Sequence, residues 1–227
     1  MFFGADQPSA YDWNFRIYNY AIRVSWSFWL GALVLGSMYS GGVVSAYQST
    51  PIIGVLIAWI AAEFVSILVH ELGHAFAFQQ TGIRSQIVLH ALGGYAQPLA
   101  YGGGRLNDRW QVWIAFAGPL FQFVSGFAVL LIVRSLGYSV PFGSVFGLFP
   151  WASGGQPIEN GLLFAMINFY VGISMFWAVI NLVPVFPLDG GRIVKHGVPL
   201  LGGTRQQANQ AVVIGGVASA IVLFMIN

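Results

Sequence analysis

Residues 63–78 have the sequence EFVSILVHELGHAFAF, a nearly continuous apolar run that is interrupted by two histidines and two glutamates. The apolar segment extends from Pro51 to about Gln80, which exceeds the roughly 20 residues that a helix needs to cross a bilayer. His70 and His74 are four residues apart, so a helix places both imidazoles on one face, one turn apart. Glu71 lies beside them and could orient a water molecule on a shared metal ion. Ionisable groups are costly inside an apolar helix, so the HELGH run marks a candidate functional site.

The rest of the chain has the composition of a membrane protein. Of its 227 residues, 57% are hydrophobic and 7% are charged, and the mean hydropathy is +0.73. Soluble domains contain roughly 25% charged residues, so this chain has too little polar surface for a water-soluble globule. A net charge of +2 gives no reason to expect binding to nucleic acid, and the absence of cysteine excludes disulfides and thiolate metal ligands.

Five apolar segments are candidates for membrane spans, so we expect an all-α polytopic membrane protein with five to six transmembrane helices. The segment Pro187–Leu201 would form the sixth helix, only partly inserted because it is short and charged. The N-terminal residues do not have the pattern of a cleavable signal peptide, and residues 1–227 are expected to form a single domain. The five spans are predicted at about residues 24–39, 51–80, 110–133, 161–183 and 208–227.

Basic residues are distributed unevenly among the loops between these spans. The N-terminal segment and the loops after the second and fourth spans contain eight of the nine basic residues, whereas Arg134 alone follows the third span. The positive-inside rule therefore places the N-terminus and those two loops in the cytoplasm, with the C-terminus outside. The eight residues are Arg16, Arg23, Arg84, Arg105, Arg109, Arg192, Lys195 and Arg205.

Two histidines do not complete a hydrolytic zinc site, which usually has three protein ligands and a water molecule. Asp189 follows the fourth span, in a segment that prolines break and that Gly190 and Gly191 allow to turn. The second and fourth spans head for the same side of the membrane, so the topology brings Asp189 to the level of HELGH. The alternative interpretation of Asp189 is an N-cap of the helix that follows it. The other acidic candidates lie in predicted loops or on the opposite side of the membrane: Asp6, Asp12, Asp108 and Glu159.

These motifs resemble those of the site-2 protease family of intramembrane metalloproteases. HELGH is similar to the family's HExxH motif, and Asn181–Gly191, NLVPVFPLDGG, resembles a second motif that ends in LDG. Ala91–Pro98, ALGGYAQP, resembles the Gly-Gly segment of a membrane-associated β-hairpin that follows the catalytic helix. Gly118-Pro119 resembles a Gly-Pro pair, although Gln122 stands where many members have Asn. The resemblance covers roughly residues 50–200.

The resemblance implies a zinc metalloprotease that hydrolyses peptide bonds within or near the transmembrane segments of membrane-protein substrates. It implies that His70, His74 and Asp189 bind Zn²⁺ and that Glu71 is the general base. It also implies that Asn181 holds the substrate backbone or the developing oxyanion. The expected setting is the bilayer of the cell membrane, with the active site on the cytoplasmic side. We expect a minimal core without the PDZ or CBS domains that some relatives carry.

The segment after the HELGH helix also predicts β-structure without reference to the family. Ser85–Leu92, SQIVLHAL, is rich in β-branched and apolar residues and follows the turn-like pair Thr81-Gly82. A strand over these residues could present an open edge, to which a locally unwound substrate helix adds as a further strand. The alternative is a simple surface hairpin, and the sequence leaves both interpretations open.

Other interpretations concern function and individual polar residues. A catalytically inactive, metal-binding membrane scaffold and a metal transporter remain alternatives to a protease. Glu63 could line a water path, or it could be a carboxyl group bonded to a neighbouring span. His196 could be a gating group, or a histidine at the cytoplasmic interface. The aromatic residues between Tyr11 and Trp29 are predicted to form an interfacial belt.

Overall fold

The computed structural model describes residues 7–99 and 106–226, in which six α-helices form a bundle and four short β-strands form one sheet. The helices are α1 (Trp26–Ala46), α2 (Ile52–Gln80), α3 (Asp108–Ser135), α4 (Gly161–Asn181), α5 (Asp189–Leu200) and α6 (Arg205–Ile226). The strands are β1 (Trp13–Ile17), β2 (Tyr20–Val24), β3 (Ser85–His90) and β4 (Gly93–Pro98). Two short 3-10 segments, Pro141–Gly147 and Pro150–Ser153, lie between α3 and α4.

Four of the described helices, α1 to α4, are long and apolar enough to cross a membrane. Large apolar side chains of α1, including Leu30, Val34 and Met38, are exposed on the outside of the bundle, as expected for a helix that faces lipid. The helix α6 occupies the fifth predicted span, and α5 occupies the segment predicted to form a short, partly inserted helix. The prediction of a polytopic helical membrane protein is therefore confirmed, with four helices that meet the criteria for a span.

The helix α2 lies at the centre of the bundle, where it packs against α1, α3 and α4. Each of these three neighbouring helices begins directly after a serine or asparagine whose side chain caps its N-terminus. Ser25 accepts a hydrogen bond from the Ser27 amide at the start of α1, and Asn107 and Asn160 cap α3 and α4 in the same way. The helices therefore begin where the sequence supplies a polar cap immediately before an apolar run.

The four strands form a sheet in the order β1-β2-β3-β4, with β2 and β3 parallel and the other pairs antiparallel. One face is apolar and packs on α1 and α2 through Ile22, Val24, Ile87 and Leu89, which are all 1% exposed or less. The predicted hairpin is present as β3 and β4. The prediction missed β1 and β2, which form in the region that was interpreted as an aromatic belt.

Two interpretations of the segment that forms β3 were open, and the structure contradicts the one in which β3 has an open edge. The backbone of β3 is paired on both sides, with β2 along Gln86–Leu89 and with β4 along its whole length. The N-terminal hairpin causes this change, because it adds to the sheet beside β3. Within the described residues, the strand edges without a partner belong to β1 and β4.

A charged cluster joins α5 to the beginnings of α3 and α6. His196 Nδ1 lies 2.8 Å from Asp108 Oδ1, and the Arg205 guanidinium donates to both oxygens of the same carboxylate, at 2.9 and 2.8 Å. His196 thus lies where α5 contacts the start of α3, and its partner there is the Asp108 carboxylate. The cluster holds α5, which carries Asp189, against the first residue of α3. The same end of α3 also contacts α2, because Trp113 donates to Gln80.

Candidate metal centre

The HELGH residues lie on the buried side of α2. His70 and His74 are each 6% exposed, and Glu71 is 2% exposed. The helix brings the ligand atoms of these three residues within 4.8 Å of one another. The group is therefore a compact set of metal-binding side chains in the interior of the bundle.

Asp189 completes a triangle of electron-pair donors with the two histidines. His70 Nε2 and His74 Nε2 are 3.0 Å apart, and Asp189 Oδ2 lies 3.1 Å from the first and 3.2 Å from the second. Around a tetrahedral ion with bonds of about 2.0–2.1 Å, ligand atoms lie about 3.3–3.4 Å apart. The three atoms therefore fit one small cation after a slight expansion, and the nitrogen and oxygen donor set suits a divalent metal.

Hydrogen bonds on the far side of each imidazole direct its Nε2 atom towards this point. His70 Nδ1–H donates to Gln122 Oε1 at 2.9 Å, and His74 Nδ1–H donates to the Ile114 carbonyl at 2.6 Å. Both acceptors belong to α3. Because a carbonyl oxygen can only accept, each Nδ1 must carry a proton, so in the neutral ring the lone pair is on Nε2, which faces the shared point. The protonation pattern is the one that metal binding requires.

A buried chain of hydrogen bonds extends this support to α4. Gln122 Nε2 donates to Ser66 Oγ at 3.0 Å, and Ser174 Oγ donates to the same Ser66 oxygen at 2.9 Å. Gln122 is 1% exposed, and both serines are fully buried. The amide orientation of Gln122 is therefore fixed by its partners, with its oxygen towards His70, and the chain ties α2, α3 and α4 together around the site.

Gly118 keeps the space between the imidazoles and α3 open. A Cβ atom at this position would overlap His74 Nε2 and would lie 2.9 Å from His70 Nε2. No side chain other than hydrogen fits there without displacing a donor atom. A methyl group would occupy the position that a shared cation needs.

The start of α5 positions Asp189. Leu188 is the N-cap, so Asp189 is the first helical residue and the interpretation of Asp189 as an N-cap is wrong. A Cβ atom on Gly190 would overlap the carbonyl oxygens of Leu182 and Val183, so glycine lets α5 begin close against the preceding loop. Asp189 is buried, and its Oδ2 faces the Nε2 atoms of both imidazoles.

Glu71 faces the site from a different direction and lies against β4. Its Oε1 is 2.9 Å from the position of a Cβ on Gly94, and the Ala96 backbone amide donates to its carboxylate. Its Oε2 is buried and has no hydrogen-bond partner among the described residues. A buried carboxylate oxygen without a partner is costly, so this atom needs a water molecule or a substrate group that the protein alone does not supply.

The remaining acidic candidates do not belong to this centre. Asp12 forms a salt bridge with Arg23 at 2.7 Å, Asp108 belongs to the cluster with His196, and Glu159 is exposed before α4. Asp6 lies outside the described residues. Glu63 accepts a hydrogen bond from Trp59 Nε1 at 2.7 Å, so its partner is on its own helix and not on a neighbouring span.

Asn181 is the last residue of α4 and is partly exposed. The loop 182–188 separates it from Asp189. Among the described contacts of the metal centre, none involves the Asn181 side chain. Its position is therefore compatible with a role towards a bound substrate, and that role stays a prediction.

Comparison with known proteins identifies the family of this chain. The model of peptidase family M50 matches residues 58–225, which include α3, α4, α5 and most of α2. The chain belongs to peptidase family M50. The resemblance to the site-2 protease family is thereby confirmed, and the HELGH residues and Asp189 all lie inside the matched part of this M50 chain.

Curated relatives of this M50 chain include a zinc metalloprotease from Methanocaldococcus jannaschii, which is 28% identical over 133 residues. That match covers 58% of this chain and 32% of the relative. Rip3 from Mycobacterium tuberculosis is 25% identical over 223 residues, which are 93% of this chain and 50% of the relative. The chain thus spans between a third and a half of the length of these two relatives.

A solved structure, the site-2 protease from Methanocaldococcus jannaschii, has the same fold. It is superimposed with a TM-score of 0.52 at 21% sequence identity, and the match covers 95% of this M50 chain and 84% of that structure. The similarity in fold extends over nearly the whole chain.

Sequence reasoning missed some residues that support the centre. Gln122 was noted only as a departure from the family pattern, and neither Ser66 nor the Ile114 carbonyl was singled out. Polar side chains in the middle of apolar helices were an available signal for Gln122 and Ser66, because such groups need partners in lipid. The Ile114 carbonyl has no sequence signal, since every residue carries one.

Proposed function

We propose that this chain is an intramembrane zinc endopeptidase that hydrolyses peptide bonds within or near the transmembrane segments of membrane proteins. The observation that carries the proposal is the convergence of His70, His74 and Asp189 beside the unpartnered Oε2 of Glu71. Three protein ligands with an open fourth position next to a carboxylate is the arrangement of hydrolytic zinc sites. A scaffold that only binds metal has no need of the carboxylate.

The donor set supports Zn²⁺ as the bound metal. Two imidazole nitrogens and one carboxylate oxygen form a known class of catalytic zinc site, and zinc accepts tetrahedral geometry without strain. The name of the Methanocaldococcus jannaschii relative, zinc metalloprotease, agrees with this assignment. Zinc, when bound, would polarise the scissile carbonyl and make a water molecule acidic at neutral pH.

The residues of the chain would then move the protons and hold the reacting groups. Glu71 Oε2 takes a proton from the attacking water and afterwards gives it to the leaving amine. The Ala96 amide, which donates to the Glu71 carboxylate, keeps that group in place. Asn181 is proposed to donate to the substrate backbone or to the oxyanion.

The edge of β4 that has no strand partner among the described residues supports a role in substrate binding. A helical peptide bond is shielded by its own hydrogen bonds, so a substrate helix must unwind before it can be cut. An unwound segment can recover backbone hydrogen bonds by pairing with a strand edge. Since β3 is paired on both sides, we assign this role to β4, whose Gly94 and Ala96 contact Glu71.

The basic residues support a cytoplasmic position of the active site. Arg16 and Arg84 line one cavity beside the sheet, and Arg192 and Lys195 lie on α5 near the metal centre, whereas Arg134 lies at the far end of α3. By the positive-inside rule, the end with the larger number of basic residues faces the cytoplasm. Arg105 lies outside the described residues. The cell membrane is the proposed location.

A cleavage assay in lipid vesicles tests the proposal. The purified chain would be reconstituted with a panel of single-span peptides, and products would be identified by mass spectrometry. The Glu71→Gln variant is expected to keep zinc and lose at least 100-fold in cleavage rate, because it cannot accept the proton. The matched control is Glu63→Gln, since the same change on the same helix preserves an acceptor for Trp59 and lies about two turns away.

Other outcomes would favour a different function. Zinc flux across the vesicle membrane without peptide cleavage would support a transporter. Zinc binding with neither flux nor cleavage would support a scaffold. Equal cleavage by the wild type and Glu71→Gln would exclude the proposed role of Glu71.

A further inference from the structure

A polar cavity of about 260 Å³ opens beside the metal centre. Its walls come from the end of α2, the strand β4, the beginning of α3 and the exposed part of α5. Two residues that line the cavity also form hydrogen bonds to residues of the metal centre. Ile114 provides the carbonyl that orients His74, and Ala96 provides the amide that binds Glu71. The cavity therefore adjoins the place where a peptide bond would be cut.

The α5 wall of the cavity carries positive charge. Arg192, Lys195 and His196 line it, and with 100° per residue these three side chains and Asp189 fall within about 120° of the α5 circumference. The Arg192 guanidinium is close enough to Glu71 for a Coulomb interaction. One face of α5 thus supplies a metal ligand at its start and cations along the cavity.

None of the described residues that line the cavity is acidic, although Arg192 interacts electrostatically with Glu71 of the metal centre. In the part of the chain that the structure describes, neither Arg192 nor Lys195 has a salt-bridge partner. The nearby carboxylate, Asp108, is already bound by His196 and Arg205. Lys195 instead lies over the Phe186 ring, 5.7 Å from its centroid. The cavity therefore has an excess of positive charge.

We propose that this cavity receives the segment of the substrate next to the scissile bond and selects an aspartate or glutamate side chain there. This inference rests on the proposed function, because it names the class of substrate that the same site would accept. An extended segment along the β4 edge passes Ala96 and Pro98, which also line the cavity. A side chain of that segment would meet the Arg192 and Lys195 head groups.

Such a site would discriminate among membrane proteins. Cytoplasmic flanks of transmembrane helices are enriched in lysine and arginine, and these residues would be repelled by the α5 cations. A substrate with an acidic flank would be attracted instead. Attraction of the acidic flank and repulsion of the basic flank both favour the acidic substrate. Their energies add, so a modest energy for each pair produces a measurable difference in the cleavage rates of the two substrates.

The experiment compares matched single-span peptides that differ at one flanking position. An aspartate, an asparagine or a lysine would be placed in turn at each of several positions on both sides of the cleaved bond. We expect the aspartate peptide to be cut roughly 1.5- to 5-fold faster than the asparagine peptide at one position or more, as for exposed ion pairs. The lysine peptide should be cut more slowly, and both differences should shrink at high salt.

Charge changes in the enzyme give the second part of the test. Lys195→Gln should reduce the preference, and Lys195→Glu should favour the lysine peptide, each judged by the ratio of rates within one variant. Arg84→Glu is the matched control, because Arg84 is an exposed arginine that lines a different cavity. That variant should keep the wild-type preference for aspartate.

The outcomes separate this inference from the proposed function. Cleavage of the asparagine peptides with no charge preference at any position would overturn the inference and leave the protease assignment intact. A preference that Lys195→Glu leaves unchanged would overturn it as well. Inhibition by anionic lipid that Lys195→Glu relieves, without a preference among peptides, would assign the cavity to a lipid headgroup. Failure to cut any peptide would refute the protease assignment, and this inference with it.

Discussion

Replacing Gln122 with leucine would remove the hydrogen bond that orients the His70 imidazole, and we expect it to weaken zinc binding by about 10- to 100-fold. Leucine is similar to glutamine in size but has no hydrogen-bond acceptor. The substitution therefore removes the hydrogen bond to His70 with little change in side-chain volume. The imidazole could then rotate or shift its proton to Nε2, which would no longer point a lone pair at the metal.

The structure gives an independent magnitude for this effect. His70 Nδ1 lies 2.9 Å from the Gln122 oxygen, and both residues are buried, so the N–H group would lose its partner without gaining water. An unsatisfied buried donor costs about 1–3 kcal/mol, which corresponds to a factor of about 5 to 150 in affinity. This range overlaps the loss of about 10- to 100-fold in metal affinity that usually follows the removal of a hydrogen-bond partner from a metal-binding histidine. Ser66 retains the hydrogen bond from Ser174, which limits the additional cost.

Zinc affinity would be measured in detergent by competition with a chromophoric chelator. The matched control is Gln80→Leu, because Gln80 also joins α2 to α3, through Trp113 Nε1 at 2.7 Å, but lies away from the metal centre. We expect wild-type affinity for that control. Wild-type affinity for Gln122→Leu as well would refute the argument that this hydrogen bond prepares His70 for the metal.

Three further predictions concern Gly118, the bound metal and Asp12. Gly118→Ala should lower zinc affinity at least 10-fold in the same assay, because its methyl group overlaps His74 Nε2, whereas Gly197→Ala, whose Cβ has a single neighbour at 4.0 Å, should not. Removal of zinc with a chelator should lower the melting temperature of the wild type and leave His74→Ala unchanged, since a ligand at 100 times its Kd stabilises by about 2.7 kcal/mol. Burial opposes ionisation of Asp12, but the amides of Ser9 and Trp26 and the guanidinium of Arg23 hold its pKa below the usual value. Asp12→Asn should therefore destabilise the protein by at most about 1 kcal/mol at neutral pH. The difference in melting temperature should begin to shrink as the pH falls below about 4 and should vanish only below the lowered folded-state pKa of Asp12.

The helices, and the helical face that carries His70 and His74, were predictable because local sequence patterns determine them. Apolar runs of sufficient length predict spans, and the spacing of His70 and His74 places them on one helical face. The position of Asp189 required an additional argument, in which the alternation of the spans makes the second and fourth run in the same direction and brings their ends to the same side. The structure places Asp189 Oδ2 within 3.2 Å of both imidazoles, so that topological argument was sufficient.

The sheet was harder to predict, because aromatic residues near a membrane surface have two common explanations. Trp13, Phe15 and Ile17 alternate with polar residues, which is a strand pattern, and a turn at Tyr18 and Asn19 follows. Enrichment in aromatic residues also marks a membrane interface, and that interpretation was preferred. The pairing of β2 with β3 joins segments about 60 residues apart, and no local pattern specifies it. The error about the edge of β3 follows directly from missing β2.

The most direct test of the central claim is the X-ray absorption spectrum of zinc bound to the purified chain. We expect one zinc ion per chain with two imidazole nitrogens and carboxylate or water oxygens at about 2.0–2.2 Å. Asp189→Ala should change the oxygen coordination and weaken binding, whereas Glu71→Gln should leave the first coordination sphere unchanged. A spectrum that is the same in Asp189→Ala as in the wild type, or one that changes in Glu71→Gln, would contradict the proposed centre.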